Sequence, residues 1–348
     1  MRGKGEIKNM RKFKLYKRNI RGIMASWLLL SSMFIILLST LVQPVGSNKW
    51  WNPSWLFRKQ ITIHTKVNAS LENFPVLIDI TDIDLKNKAQ PDGDDIVFVG
   101  ESNTTLNHEI EYYDSTSGHL IAWIKLPSIS SDTDTIFYMY YGNPNAINQQ
   151  NASGVWDSNF VMVQHFEETS GTRLDSTSNG NNATPYGTMS KTLGKIGMAD
   201  AFNGAGYLRV PEGFLPTSAI TVEFWLKPSS TQTATWPKHI NTGPTTTSGI
   251  CGGQTIKSGD GWSLTLTWDS GTKSFSTGGQ PSGYNWIHLA ITWDGSVARA
   301  YYNGVKMKEG TISGTPDWIG KALYLASNYN GGEKFNGAID EVRISNVA

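Results

Sequence analysis

Cysteine is nearly absent: Cys251 is the only one in 348 residues. A lone thiol excludes an intrachain disulfide and a cysteine-based zinc site. Charge is also sparse, at 17% of residues. The six histidines are scattered. Several catalytic signatures are missing. No Gly-x-Ser-x-Gly elbow or phosphate loop occurs, and His108-Glu109 lacks the second histidine of a zinc-protease helix. The Glu-x-Asp-x-x-Glu strand motif of glycan-cleaving sandwiches is absent too. Ser270-Gly-Thr-Lys273 fits Ser-x-x-Lys but lies in a glycine-rich, turn-like stretch. These absences point away from an enzyme.

What is abundant is aromatic. Trp, Tyr and Phe number 13 each, enough for sizeable cores. Thr, Ser, Asn and Gly separate short apolar runs, which favours strands and turns. Without disulfides, stability must come from size, which fits a prokaryotic exterior.

The near-zero net charge conceals a split. Residues 1–46 hold nine basic residues, Arg2 to Arg21, against Glu6 alone. Removing these from the totals of 30 and 29 leaves 21 basic and 28 acidic residues downstream. An acidic body gives no phosphate-binding surface, so nucleic acid is not an expected partner. After the basic segment, Ile23 to Val42 is mostly apolar, and no charge occurs from Gly22 to Asn48. Such a run enters a bilayer with its basic flank in the cytoplasm. Two readings stand side by side. One is a signal peptide cut near Val45-Gly46-Ser47, and the other an uncleaved membrane anchor. Both place the rest of the chain outside the cytoplasm, on the cell surface or secreted. Export gives meaning to the sequons at Asn68, Asn103, Asn151 and Asn182 as glycan acceptors.

Residues 1–47 are therefore the leader, and 48–153 the first module. There Arg58 to His64, Phe74 to Ile80, Ile96 to Val99, Asn107 to Tyr113, His119 to Leu126 and Thr135 to Tyr141 read as strands. Asp92, Asp94 and Asp95 fall in a turn, where carboxylates bond local amides. Glu109 and Glu111, two apart, share one strand face, read as solvated. The Trp50-Trp51 opening, FPVLIDI, PDGDDIVF, AWIKLP and FYMYYGNPNA resemble the DUF2341 family over about residues 50–150. The resemblance implies an exported β domain with no known catalytic residues.

Residues 154–348 form the second module. Trp286 to Lys308 reads as a three-stranded meander with turns at Asp294-Gly295 and Asn303-Gly304. His288 falls on the strand face opposite Ile287 and Leu289, read as surface. In the last strand, period two places Asp340 on the core side with Val342 and Ile344, where a buried carboxylate needs donors or a cation. DSTSNGNNAT, FNGAGYLRVP, ITVEFWLKP, WIHLAITWDGSVARAYYNG and FNGAIDEVRIS resemble the LamG-like jelly roll, the concanavalin A-like lectin/glucanase superfold. That resemblance implies two packed antiparallel sheets, a frequent calcium site, and roles in adhesion and binding. Carried onto this chain, the calcium falls to Asp175 and Asp340, with backbone carbonyls completing the shell. Family members usually continue a little beyond Ala348, so a truncated product is one expectation.

The expected fold is all-β: two tandem antiparallel β-sandwich, jelly-roll-type domains behind the leader. The expected role is a cell-surface binding module for adhesion or glycan recognition, with surface glycans or envelope proteins as partners. A structural stalk and an accessory part of a glycan-degrading system are the alternatives. Trp236, Tyr284, Trp286 and Tyr329, in or beside loop-like stretches, are the candidate ligand-binding aromatics.

Overall fold

The computed structural model describes residues 50–64, 67, 69–243, 248–254 and 261–348. The leader and Asn68 lie outside the described residues. Among the described residues no helix is long and apolar enough to cross a membrane.

The first module is built from two antiparallel sheets. In one, Thr135–Tyr141 lies between Phe57–Ile63 and Val97–Gly100, with Thr105–Leu106 at the edge. In the other, His119–Ile129 lies between Leu71–Thr81 and His108–Asp114. Alternating residues point inward: Ile61 and Ile63 meet Phe137, Met139, Val76, Ile78, Leu120 and Ile124. Each such side chain contributes roughly 1.5–3 kcal/mol on burial. Between the second and third strands, Asp82 caps a short helix, Ile83–Lys88, by accepting from the Asp84 amide.

The PDGDD turn and the YYGN segment are one device. Asp95 is fully buried, and its carboxylate accepts the amides of Gln90 at 2.8 Å, Gly142 at 2.6 Å and Asn143 at 3.0 Å. Gly142 has φ +86°, a conformation that favours glycine. Trp55 closes the site, its indole donating to the Asp95 carbonyl at 2.6 Å.

The second module is a larger sandwich. One sheet runs, in order, Ser190–Leu193, Met198–Asn203, Asn336–Ser345, Ile220–Pro228, Ile287–Trp293, Val297–Tyr302 and Val305–Thr311, with Phe160–Gln164 also paired to Asn336–Ser345. The other runs Lys273–Ser276, Trp262–Trp268, Ile250–Gln254, Lys238–Asn241, Leu323–Leu325, Tyr207–Val210 and Thr184–Tyr186. Val222, Phe224 and Leu226 face inward, as their alternation predicts, against Leu264, Leu266, Leu323 and Leu325. Trp268, Trp293 and Trp318 meet edge to face at 5.3–6.0 Å in this core. The predicted meander is present, with Asn303 and Gly304 at positive φ in its second turn.

The last strand corrects one expectation. Opposite Glu223 and Trp225 its register slips, and Glu341 adopts φ +51°. This bulge changes the strand's parity. Ile339, Val342 and Ile344 all enter the core, whereas Asp340 pairs with Trp225 on the outer face. Asp340 is buried as predicted, but beneath the 195–196 segment rather than inside the sandwich.

Residues 142–159 join the modules without slack. Asn151 donates its amide to the His108 carbonyl, and its side chain caps the turn Ala152–Val155. Gln150 accepts from the Ile110 amide at 2.6 Å, and Asn107 donates to the Gly154 carbonyl at 3.1 Å.

Candidate functional site

Two places concentrate chemistry, one on a free sheet face and one between the modules.

The first is the outer face of the sheet containing Tyr207–Val210. Leu208 and Val210 enter the core, so Tyr207 and Arg209 point out. Register sets Tyr186 beside Tyr207 and Tyr324 beside Arg209. The rings of Tyr186 and Tyr207 stack at 5.0 Å with an interplanar angle of 8°, and Tyr324 follows at 6.1 Å. Arg209 lies over Tyr324 and Lys334 over Tyr207, at 6.0 and 5.9 Å. Arg209 also donates to Glu212 at 2.5 Å. Tyr186 keeps 42% of its surface exposed. The result is a row of stacked tyrosine rings, with Tyr186 exposed at its end and two cations and a carboxylate beside it.

The predicted aromatics divide around this row. Tyr329 borders it: its amide donates at 2.8 Å to Asn241, which pairs with Tyr324. Trp236 is exposed and precedes Lys238, which bridges to Lys334. Tyr284 and Trp286 sit elsewhere, leading into Ile287–Trp293 of the opposite sheet, with Lys227 near the Trp286 ring. Sequence reasoning missed Tyr186, Tyr207 and Tyr324. Each is a strand residue, and only register shows that they adjoin.

The second place lies where the strand His108–Asp114 meets the second module. Glu109 and Glu111 do share a face, but the face is covered, which corrects the solvated reading. Glu109 accepts from the Trp156 indole at 2.7 Å and from Ser176 at 2.5 Å. Glu111 accepts from the Trp123 indole at 2.7 Å, and its side chain is fully covered. Facing them is His165. Its Nδ1 lies 2.7 Å from Glu341 and 3.3 Å from Glu111, and its Nε2 lies 3.5 Å from Glu109. Arg343 binds the other oxygen of Glu341 and lies over Trp123 and Trp156, at 4.4 and 5.2 Å. Glu167 accepts the Met198 amide close by.

Electrostatics follow from this crowding. Burial alone favours a neutral His165, but Glu341, Glu111 and Glu109 push its pKa well above the ordinary 6.5. Burial would raise Glu109, yet the His165 charge and hydrogen bonds from His165, Ser176 and Trp156 hold it at about 2. Burial and the Glu341 charge push Glu111 and Asp340 well above the usual carboxylate range.

Asp175 and Asp340 share no hydrogen-bond partner. Asp175 accepts from the amides of Val163, Thr177 and Asn181 and from the Thr177 hydroxyl. Asp340 accepts the amides of Lys195 at 2.7 Å and Ile196 at 3.1 Å through Oδ2, while Oδ1 has no donor. A calcium ion across this pair meets a saturated carboxylate on Asp175 and one free oxygen on Asp340. His288 is not a surface residue: it is 3% exposed, with Trp225 at 5.1 Å and Glu223 at 3.4 Å. Of the sequons, Asn103 and Asn151 are exposed, and Asn182 accepts from the Asp175 amide.

This architecture defines a tandem β-sandwich protein whose second unit is a jelly roll. Residues 92–182 match the model of a domain of unknown function, DUF2341, and residues 202–348 that of the concanavalin A-like lectin/glucanases superfamily. The two matches follow one another in the order that the sequence resemblances imply. Among solved structures, it is similar to domain 4 of AbnA, an extracellular GH43 arabinanase from Geobacillus stearothermophilus, in complex with arabinotriose. Identity there is 24%, covering 54% of this chain and 92% of that one, with a TM-score of 0.42. The binding domain of botulinum neurotoxin DC in complex with SialylT aligns at 15% identity over 55% of this chain and 48% of that chain, TM-score 0.38. That of serotype D/C aligns at 14% identity over 54% and 49%, TM-score 0.41. The chain therefore spans about half the length of these neurotoxin domains. Curated protein sequences gave no match.

Proposed function

We propose that the protein is an exported, non-catalytic binding module that recognises glycans through Tyr186, Tyr207 and Tyr324. The carrying observation is the stacked row of tyrosines on an outer sheet face, with Arg209, Lys334 and Glu212 at its borders. Sugar rings present apolar faces that pack on aromatic rings, and their hydroxyls take charged and polar neighbours. Tyr329, whose amide donates to Asn241 beside Tyr324, borders the platform. Glycoside cleavage is disfavoured by the burial of Glu109 and Glu111 against tryptophans: a carboxylate pair must flank an accessible bond. The basic, apolar leader supports placement outside the cytoplasm, anchored or released.

The purified full-length chain, screened on a glycan array, is expected to show saturable binding. Tyr207→Ala should weaken it by about tenfold or more, ~1.4 kcal/mol, at unchanged thermal midpoint. Absence of binding, or an unchanged Tyr207→Ala affinity, would move the weight to assembly with envelope proteins.

A further inference from the structure

The buried cluster between the modules carries more acid than base. Glu109, Glu111 and Glu341 surround the His165 imidazole, Arg343 binds Glu341, and the carboxylates of Glu167 and Asp340 feel the same charges, with Lys191 acting on Glu167. Burying carboxylates without counter-charge is costly, so such a site holds protons or binds a cation. An orphaned atom favours the cation: Glu111 Oε1 has no hydrogen-bond partner although its side chain is fully covered.

We propose that Glu111, His165 and Glu341 bind a divalent first-row transition-metal ion, zinc foremost, which ties the DUF2341 domain to the jelly roll. One donor atom from each lies within 4.8 Å of the others. His165 Nδ1 lies 3.3 Å from Glu111, close to the roughly 3.4 Å between donors around tetrahedral zinc with bonds of about 2.1 Å, and its 2.7 Å hydrogen bond to Glu341 widens when the ion replaces the shared proton. An imidazole with two carboxylates selects zinc-like ions over calcium, which takes oxygen donors. The ligands are also held from behind: Glu109 faces His165 Nε2, the Trp123 indole holds Glu111, and Arg343 holds Glu341. Such outer partners orient metal ligands and fix the histidine tautomer. The three ligands come from strand His108–Asp114, the segment after Phe160–Gln164, and the last strand. They meet only when both modules are folded and docked.

The test uses the full-length chain, stripped with a chelator and then equilibrated with Zn²⁺, Co²⁺ or Ca²⁺ alone. One equivalent of zinc by elemental analysis, a visible Co²⁺ spectrum of low coordination number, and a higher thermal midpoint with zinc are expected. Glu111→Gln, which keeps an acceptor for Trp123, and His165→Gln should each lose the bound equivalent. Zinc uptake that is absent from the stripped wild type, unaltered in both variants, or replaced by calcium would overturn the proposal. Should both variants misfold, the wild-type cobalt spectrum decides, since absence of the intense visible bands of low-coordinate Co²⁺ refutes the site.

Discussion

His108 and His239 are each sealed in the core of one module. His108 is fully buried beside Phe98, with Nδ1 3.4 Å from the Leu106 carbonyl. His239 is fully buried among Phe224, Trp262 and Phe335, with Nε2 3.0 Å from the Ser263 carbonyl. Burial pushes the first from 6.5 down to about 4 and the second down to about 3. Unfolded, both rings take up protons below pH 6.5; folded, they resist until pH 4 or 3. The unfolded chain therefore binds more protons in that window, and stability falls as pH drops through it. Each histidine should remove about 2–3 kcal/mol between pH 6.5 and 4. Urea midpoints measured across that range should fall less steeply in His108→Leu than in the wild type, and an unchanged pH slope would refute the assignment. Legibility at this scale is uneven. Glu109, Glu111 and His288 were read as exposed because alternation within a strand shows which residues share a face, not what covers it. For the two glutamates the covering groups Trp156, Ser176 and His165 come from the other module, and for His288 they are Trp225 and Glu223 of the neighbouring strand.

Elements were more legible than contacts. Thr135–Tyr141 follows its predicted span, and the meander expected over Trp286 to Lys308 runs from Ile287 to Thr311, because alternation and strong turn signals agree there. The last strand shows the limit: a bulge at Glu341 shifts parity, and nothing in GAIDEVRIS marks it. The PDGDD turn shows the opposite case, since its carboxylates were expected to bond amides, yet the partners of Asp95 lie 47 and 48 residues away as well as nearby. Asp95 thus joins two segments of the first module. Asp95→Ala would leave the amides of Gln90, Gly142 and Asn143 without an acceptor inside the fold. Hydrogen bonds to a charged group contribute about 1.5–3 kcal/mol each, and with water partly replacing the three lost here a net loss of about 3–5 kcal/mol is expected. Equilibrium denaturation should show it, while a loss below about 1 kcal/mol would mean that water replaces the carboxylate.

At the scale of the whole molecule, the question is whether the modules unfold together. Free linkers let domains melt separately, whereas a large apolar contact couples them. Here Trp156, at the junction, is 3% exposed and packs with Trp123, Val155 and Val163, bridging the two modules. Its ring lies 5.1 Å from Phe160 and 5.6 Å from His165, its indole donates to Glu109, and Arg343 covers it. Truncating a buried tryptophan costs about 3–5 kcal/mol. At this position the loss falls on the joint, because the two principal cores contain neither Trp156 nor Trp123. Calorimetry of the wild type should therefore show one cooperative transition. Trp156→Ala should split it, with the jelly roll and the first module melting at different temperatures. A single transition that merely shifts in the variant would place the coupling in the Asn151 and Gln150 hydrogen bonds instead. Two transitions already present in the wild type would mean that the buried charges and aromatics dock the modules without coupling their folding.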